Sequence, residues 1–375
     1  MKKLNIGISI VLLALALGAL TGCGKEAKKN RFLERAEQDF KKGEYQKAEI
    51  NYLNVIKVAG LDPVAVRQLG LIYSEQGRLL QAFSYLQKAA ELEPENADVH
   101  LKLGQAYLAL RKQKEAGDHA LLVLASKPGH EEALLLLAES AGTPKEALAL
   151  QQKIEKMRQQ DKDSASYHLA LAVLYLRQDK QPEAEGEVAK ALALDPKSPA
   201  ANIASGNLFW MKNDLKQAEA MLKKGSELAP LRSSRRLTYA DFKLKTGAVA
   251  EAKKLFETAT QEAPDYVPAW SYLMEVAFAE RRFEDCAALN KKVLALDSIN
   301  YEALLKSGML NLIENEPDKA ITTFQRMAPY YDTVPQLHYQ FALAYLMKRE
   351  TAKAMSSLNQ ALELNPGYNE ASLLL

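Results

Sequence analysis

From residue 29 onward, apolar and polar positions follow the spacing of amphipathic helices, and the whole pattern recurs every 34 residues. Repeats open at residues 29, 63, 97, 131, 165, 199, 233, 267, 301 and 335, and an eleventh opens at 369. Apolar residues at positions 4, 7, 8 and 11 of each repeat line one face of a first helix; positions 20, 24 and 27 do so for a second. In the second repeat these are Val66, Leu69, Gly70 and Tyr73, then Ala82, Leu86 and Ala89. Position 8 is small in nine repeats of ten. Position 20 is Ala in eight and Cys286 in a ninth, and only the fourth repeat breaks it, with Leu150. Small side chains there let the paired backbones approach closely. Gly, Asn, Asp or Arg at position 15 closes the first helix. Proline at position 32, as in Pro94, Pro128 and Pro196, lacks the N–H that a continuing helix needs and ends the second. Each pair leaves an apolar face that only the next pair can cover, so the pairs are expected to stack.

This period and residue pattern resemble the tetratricopeptide repeat (TPR). The resemblance implies an all-α, right-handed superhelix (α-solenoid) of about ten 34-residue helix-turn-helix units, with a concave surface built from the first helices. In that family ligands usually meet positions 2, 5, 9, 12 and 13. Carried onto this chain, position 12 offers Leu176, Trp210, Leu244, Phe278, Leu312 and Leu346. Position 13 adds Met211, Ile313 and Met347; position 5 adds Leu169, Ile203, Leu237, Leu305 and Tyr339; and position 9 interleaves Asn207, Asp241 and Glu275. The candidate partner-binding set is Asn207, Trp210, Asp241, Leu244, Glu275, Phe278, Leu312, Tyr339 and Leu346, an apolar groove with polar anchors for an amphipathic helix or extended peptide. The alternative is that position 12 only packs adjacent repeats together. The basic set that clamps a C-terminal carboxylate in some TPR domains is missing, since only Arg67 supplies a cation at position 5.

Three stretches depart from the pattern. Repeat four carries Gly142, Thr143 and Pro144 where its first helix should still run, so its second helix is expected to start early, capped by Thr143 with Pro144 at its first position. The polar run 159–164 that follows marks a bend and a subdomain boundary, dividing repeats one to four (31–162) from the remainder (163–375), or else a worn repeat. In "MAPYYDTVP", residues 327–335, Tyr330 and Tyr331 fall in an expected loop, either as contact residues or packed on the next repeat. "LRSSRR", residues 231–236, is a basic cluster that would meet an acidic partner or lipid headgroup, or simply be solvated.

The chain's start is of another kind. Lys2 and Lys3 precede an apolar run from Leu4 to Leu20, and small residues lead to Cys23. That is secretory signal architecture, and Leu20-Thr21-Gly22-Cys23 resembles a bacterial lipobox. The resemblance implies removal of residues 1–22, lipidation of Cys23, and a short polar tether over 23–30 with Lys25, Lys28 and Lys29 near the headgroups. Gly24 in place of Asp leans the location toward the outer membrane, facing the periplasm. A plain signal peptide or a retained helix are the alternatives. Lipidation would leave Cys286 as the lone cysteine, with no intramolecular disulfide to form.

Composition then narrows the function. Net charge is +2, all of it from Lys2 and Lys3, so a neutral mature chain gives no reason to expect nucleic acid. There is no GxSxG, Walker-type phosphate loop, HExxH or CxxC, so no enzymatic role and no cofactor are expected. The five histidines show no ligand spacing: His100, His168 and His338 occupy packing position 4, and His119 and His130 lie in the second helix of repeat three and the following loop. No metal site is expected. The chain's last stretch, "GYNEASLLL", opens a repeat without a second helix, and a longer chain is expected. The first reading is a lipid-anchored TPR scaffold of the cell envelope binding protein partners. It resembles either the TPR lipoproteins that accompany exosortase and exopolysaccharide systems, or those assisting pilus or outer-membrane assembly. The second reading is the TPR region of an enzyme, such as a glycosyltransferase, with its catalytic domain beyond residue 375.

Overall fold

A computed structural model describes residues 24–375; the signal segment and Cys23 lie outside the described residues. It is helical, with no strand among the described residues. The chain forms two compact units that meet in sequence at Pro230 and Leu231.

In the N-terminal unit, residues 24–41 and Tyr45–Ala59 make the first hairpin. Further first helices begin at Pro63, Ala97, Glu131, Ala165 and Pro199, each followed by its second helix. In the C-terminal unit they begin at Ser234, Val267, Tyr301 and Pro335, and a last helix spans Asn369–Leu374. The 34-residue spacing of the sequence is therefore the spacing of the hairpins, with one residue of drift at Ser234.

The hairpin turn shows why position 15 is restricted. Gly43, Gly77, Arg111, Asp179, Asn213, Gly247, Arg281, Asn315 and Arg349 all sit at φ between 57° and 87°. A left-handed residue ends a helix by turning its N–H back onto the last carbonyls. The N–H of Asn213 donates to Trp210 O at 2.9 Å, and that of Asp214 to Phe209 O at 2.9 Å. Second helices end two residues ahead of the position-32 prolines: Leu92 before Pro94, Leu194 before Pro196, Leu228 before Pro230. Asp62, Asn96, Ser198 and Asn300 cap first helices through their side chains.

Close approach explains the small residues. The position-20 alanines are buried and Cys286 is fully so, a small apolar filler whose thiol burial pushes up. A Cβ on Gly206 would lie 2.6 Å from Leu222 Cγ. Gly186 is the opposite case. It is exposed within the helix Gln181–Leu194, and a Cβ there would meet nothing within 4 Å. Gly186→Ala is expected to stabilise the N-terminal unit by about 0.5–1 kcal/mol, since a mid-helix glycine only adds freedom to the unfolded chain. Urea denaturation of the two proteins reads the difference.

Repeat four behaves as its residues suggest locally. Its first helix stops early, spanning Glu131–Glu139, and its second runs Pro144–Gln160. Thr143 and Glu146 form a capping box with Pro144 in the first turn. The core, however, runs straight through 161–165: Leu134, Leu137, Ile154, Tyr167 and Leu171 share one cluster. Tyr167 OH donates to Asp161 at 2.9 Å across the polar run. The longer second helix of repeat four packs on the next repeat's apolar face, and the two compact units meet at Pro230.

Residues 24–30, within the expected polar tether, are helical and continuous with the helix to residue 41. One local expectation is corrected. Tyr330 and Tyr331 close the helix Pro317–Tyr331, which tolerates Pro329 in its last turn. Tyr331 packs at 5.0 Å against Tyr301 and donates to Ile299 O at 2.7 Å, while Tyr330 is exposed.

Candidate functional site

In each unit the positions expected on the inner face lie along the first helices. In the N-terminal unit, Asn207, Trp210 and Met211 fall at three- and four-residue spacing and so share a face of the helix Pro199–Met211. Asn207 is exposed, Trp210 half-buried and Met211 62% exposed. Leu169, expected there, is instead buried in the core.

In the C-terminal unit, position 12 packs on the core. Leu244, Phe278, Leu312 and Leu346 are all half-buried, each against the core of its own hairpin stack. The packing role therefore holds for these four. Position 13 carries the exposed apolar surface, with Ile313 48% and Met347 42% exposed in neighbouring repeats. At position 5, Leu237 and Leu305 are buried core residues, whereas Tyr339 is half-buried and meets Tyr368 at 5.5 Å.

The polar residues of this face are engaged. Asp241 accepts from Lys245 at 2.7 Å, and burial together with this carboxylate pushes the Tyr272 phenol up. Glu275 pairs with Lys306 at 2.9 Å. Lys306 is nearly buried and stands 4.4 Å over the Phe278 ring, a cation–π contact in a desolvated position. Glu275 and Phe278 thus hold one lysine of the next repeat between them. Sequence spacing alone did not indicate this, because Lys306 sits at position 6, outside the usual ligand positions.

The histidines meet partners across the hairpins, which spacing along one helix does not reveal. Residues 19 apart, at positions 4 and 23, face each other. His100 donates from Nε2 to Pro94 O at 2.7 Å, which leaves its Nδ1 as acceptor 3.0 Å from His119 Nδ1. Burial and the neighbouring His100 push His119 down. His168 lies 2.5 Å from Glu187 and 3.2 Å from Asp163. His130 accepts from the Ala133 N–H as a helix cap. Among the described residues no group of three or more His, Cys, Asp or Glu could hold a metal ion. No described helix is long and apolar enough to cross a membrane. The basic cluster 231–236 is paired: Arg232 with Asp265 at 2.7 Å and Arg236 with Glu262 at 2.8 Å.

Family models described as tetratricopeptide repeat match residues 133–199, 169–231, 209–276 and 335–368, and one described as TPR repeat matches 70–110, together more than half of the chain. Anaphase-promoting complex subunit 7 of Dictyostelium discoideum is 24% identical over 205 residues, 54% of this chain and 35% of its own. A BBSome complex member BBS4 homolog of Drosophila melanogaster is 24% identical over 275 residues, 68% of this chain and 55% of its own. The chain thus spans about a third and about half of these relatives. Among solved structures, yeast Tom70 aligns with a TM-score of 0.43 at 18% identity, over 91% of this chain and 77% of its own. The type IV pilus biogenesis factor PilW aligns at 0.46 and 15% identity, over 56% and 97%.

Proposed function

The chain belongs to the tetratricopeptide repeat family, and on that premise we propose that it is a lipid-anchored scaffold of the bacterial cell envelope. Its inner faces hold an amphipathic helix or extended peptide of a protein partner. The process served is envelope assembly, of the exopolysaccharide or protein-sorting kind that the anchored repeat array resembles.

The observation that carries the reading is the exposed apolar surface at inner position 13: Ile313 and Met347 in adjacent repeats, and Met211 beside Trp210. Solvated faces favour polar side chains at such places. Long flexible methionines beside aromatic edges suit a surface that accommodates an apolar helix face. The anchor rests on Leu20-Thr21-Gly22-Cys23 after the apolar run.

A photo-crosslinking residue placed at 313 or 347 is expected to trap a partner in cells, whereas one at the exposed Lys291 is not. Ile313→Asp with Met347→Asp should lower partner affinity at least tenfold while leaving helicity unchanged, because exposed positions tolerate charge. Trapping at 291 alone would refute the groove. Cys23→Ser should move the protein from the membrane to the soluble fraction, and retention in the membrane would refute the anchor.

A further inference from the structure

Residues 24–41 form a helix whose inner side is Ala36, with Phe32, Leu33 and Phe40 packed on the same core. Charge is sorted around its outer surface. Lys25, Lys28, Arg31 and Arg35 follow at three-, three- and four-residue spacing, so they share one flank, and all four are exposed. Glu26, Glu34 and Glu37 fall on the opposite flank by the same spacing rule, with the exposed Lys41 among them. Lys29, one step out of the row, is tied inward, 2.7 Å from Glu26 and 3.8 Å from Asp62 of repeat two. Asp39, four residues after Arg35 on this same flank, is half-buried and accepts from Asn51 Nδ2 at 3.0 Å, so its charge is turned partly inward. The Arg31 guanidinium stands 5.9 Å from the Phe32 ring centre. The row spans about 15 Å of helix.

We propose that this flank lies against an anionic membrane surface, its four cations on the phosphates of acidic phospholipids. The inference rests on the reading of Cys23 as lipidated, which attaches the acyl chains next in sequence to the described helix. A stiff helix attached at one end cannot turn all of its sides to the bilayer, and charge complementarity selects the flank that can rest there. Repeat one would then stand in a fixed orientation on the membrane. Each cation near such a surface contributes about a fivefold increase in partition, and the contribution is screened by salt.

The test uses the mature-length chain, residues 23–375 with Cys23→Ser, so that acyl chains play no part. It is sedimented with phosphatidylcholine vesicles, with and without roughly a third phosphatidylglycerol. Binding is expected only with phosphatidylglycerol, lost in about 0.5 M salt and weakened at least tenfold in Lys28→Gln/Arg31→Gln/Arg35→Gln. A Lys223→Gln/Lys224→Gln variant should bind as the parent does. Equal binding to neutral vesicles, no binding to either, or an unchanged triple variant overturns the proposal. The intact mass of the native protein judges the anchor separately. Acyl chains present with no phosphatidylglycerol dependence would remove the cation row and keep the anchor; acyl chains absent with such dependence would do the reverse.

Discussion

Gly308→Ala is expected to destabilise the C-terminal unit by about 2–3 kcal/mol, a large effect for one methyl group. A Cβ at 308 would stand 2.0 Å from Phe324 Cε1 and 2.4 Å from Cζ, and that ring is fully buried. It is held edge-on to Phe341 at 5.5 Å, so it cannot simply swing aside. Repeat seven shows the alternative arrangement. There Ala240 and Phe256 occupy the same two positions, and the ring lies flat on Tyr272 at 4.5 Å. Repeat nine would have to re-route Phe324 into a core formed for the edge-on ring. Phe324→Leu in the Gly308→Ala background is expected to recover part of the loss, since Ala342 and Leu358 share a core in repeat ten. The measurement is convenient because each unit holds one of the chain's two tryptophans, Trp210 and Trp270. Urea unfolding followed by Trp270 fluorescence in a Trp210→Phe background reads the C-terminal unit alone. An unchanged midpoint would mean that the core of repeat nine yields easily.

The second large effect lies in the N-terminal unit. His168 is 2% exposed and Glu187 9%. Nδ1 of His168 lies 2.5 Å from Glu187, whose other oxygen accepts from Lys190 at 2.7 Å. Burial pushes the Glu187 carboxyl up, but the hydrogen bonds from His168 and Lys190 outweigh it and hold it below the usual carboxylate range. Glu187→Leu would leave a buried imidazole nitrogen unpaired and is expected to cost about 3 kcal/mol. The double variant with His168→Leu should be less damaging than Glu187→Leu alone, because it removes the stranded partner too. The pH dependence follows from the sign of the shift. The folded value lies below the unfolded one, so the stabilisation is complete above the unfolded value near 4.5 and is lost as pH falls through the folded value. Between about pH 5 and pH 3 the parent should lose stability faster than Glu187→Gln. Parallel curves would show that the pair contributes nothing in the carboxylate form.

Much of this architecture was legible because stacked hairpins impose the same local demands every 34 residues. A left-handed turn at position 15, a close approach at 8 and 20, and a stop before 32 each select a residue type by sterics, and each left its mark. What escaped depends on contacts between positions that share no periodic rule. Spacing along one helix cannot reveal that positions 4 and 23 face each other, so the pairing of His100 with His119 and of His168 with Glu187 went unseen. Leu169, Leu237 and Leu305 were placed on the inner surface by position, yet leucine at position 5 is also the right shape for the core, and burial prevailed. Charge marks 24–30 as a polar tether without giving its conformation, and its lysines and glutamate are good helix formers next to an existing helix. The polar run at 159–164 looked like a boundary because composition does not record that Tyr167 reaches back to Asp161.

The left-handed turns and neighbour-only packing have a mechanical consequence. Within each unit a hairpin is closed by its own turn and buried by the hairpins next to it, with no strand or disulfide among the described residues tying distant repeats together. A pull on the two ends of such a stack is met by many small interfaces in series, each able to give slightly before any one opens. The molecule should therefore behave as a soft spring that lengthens reversibly at low force and loses its structure one hairpin at a time.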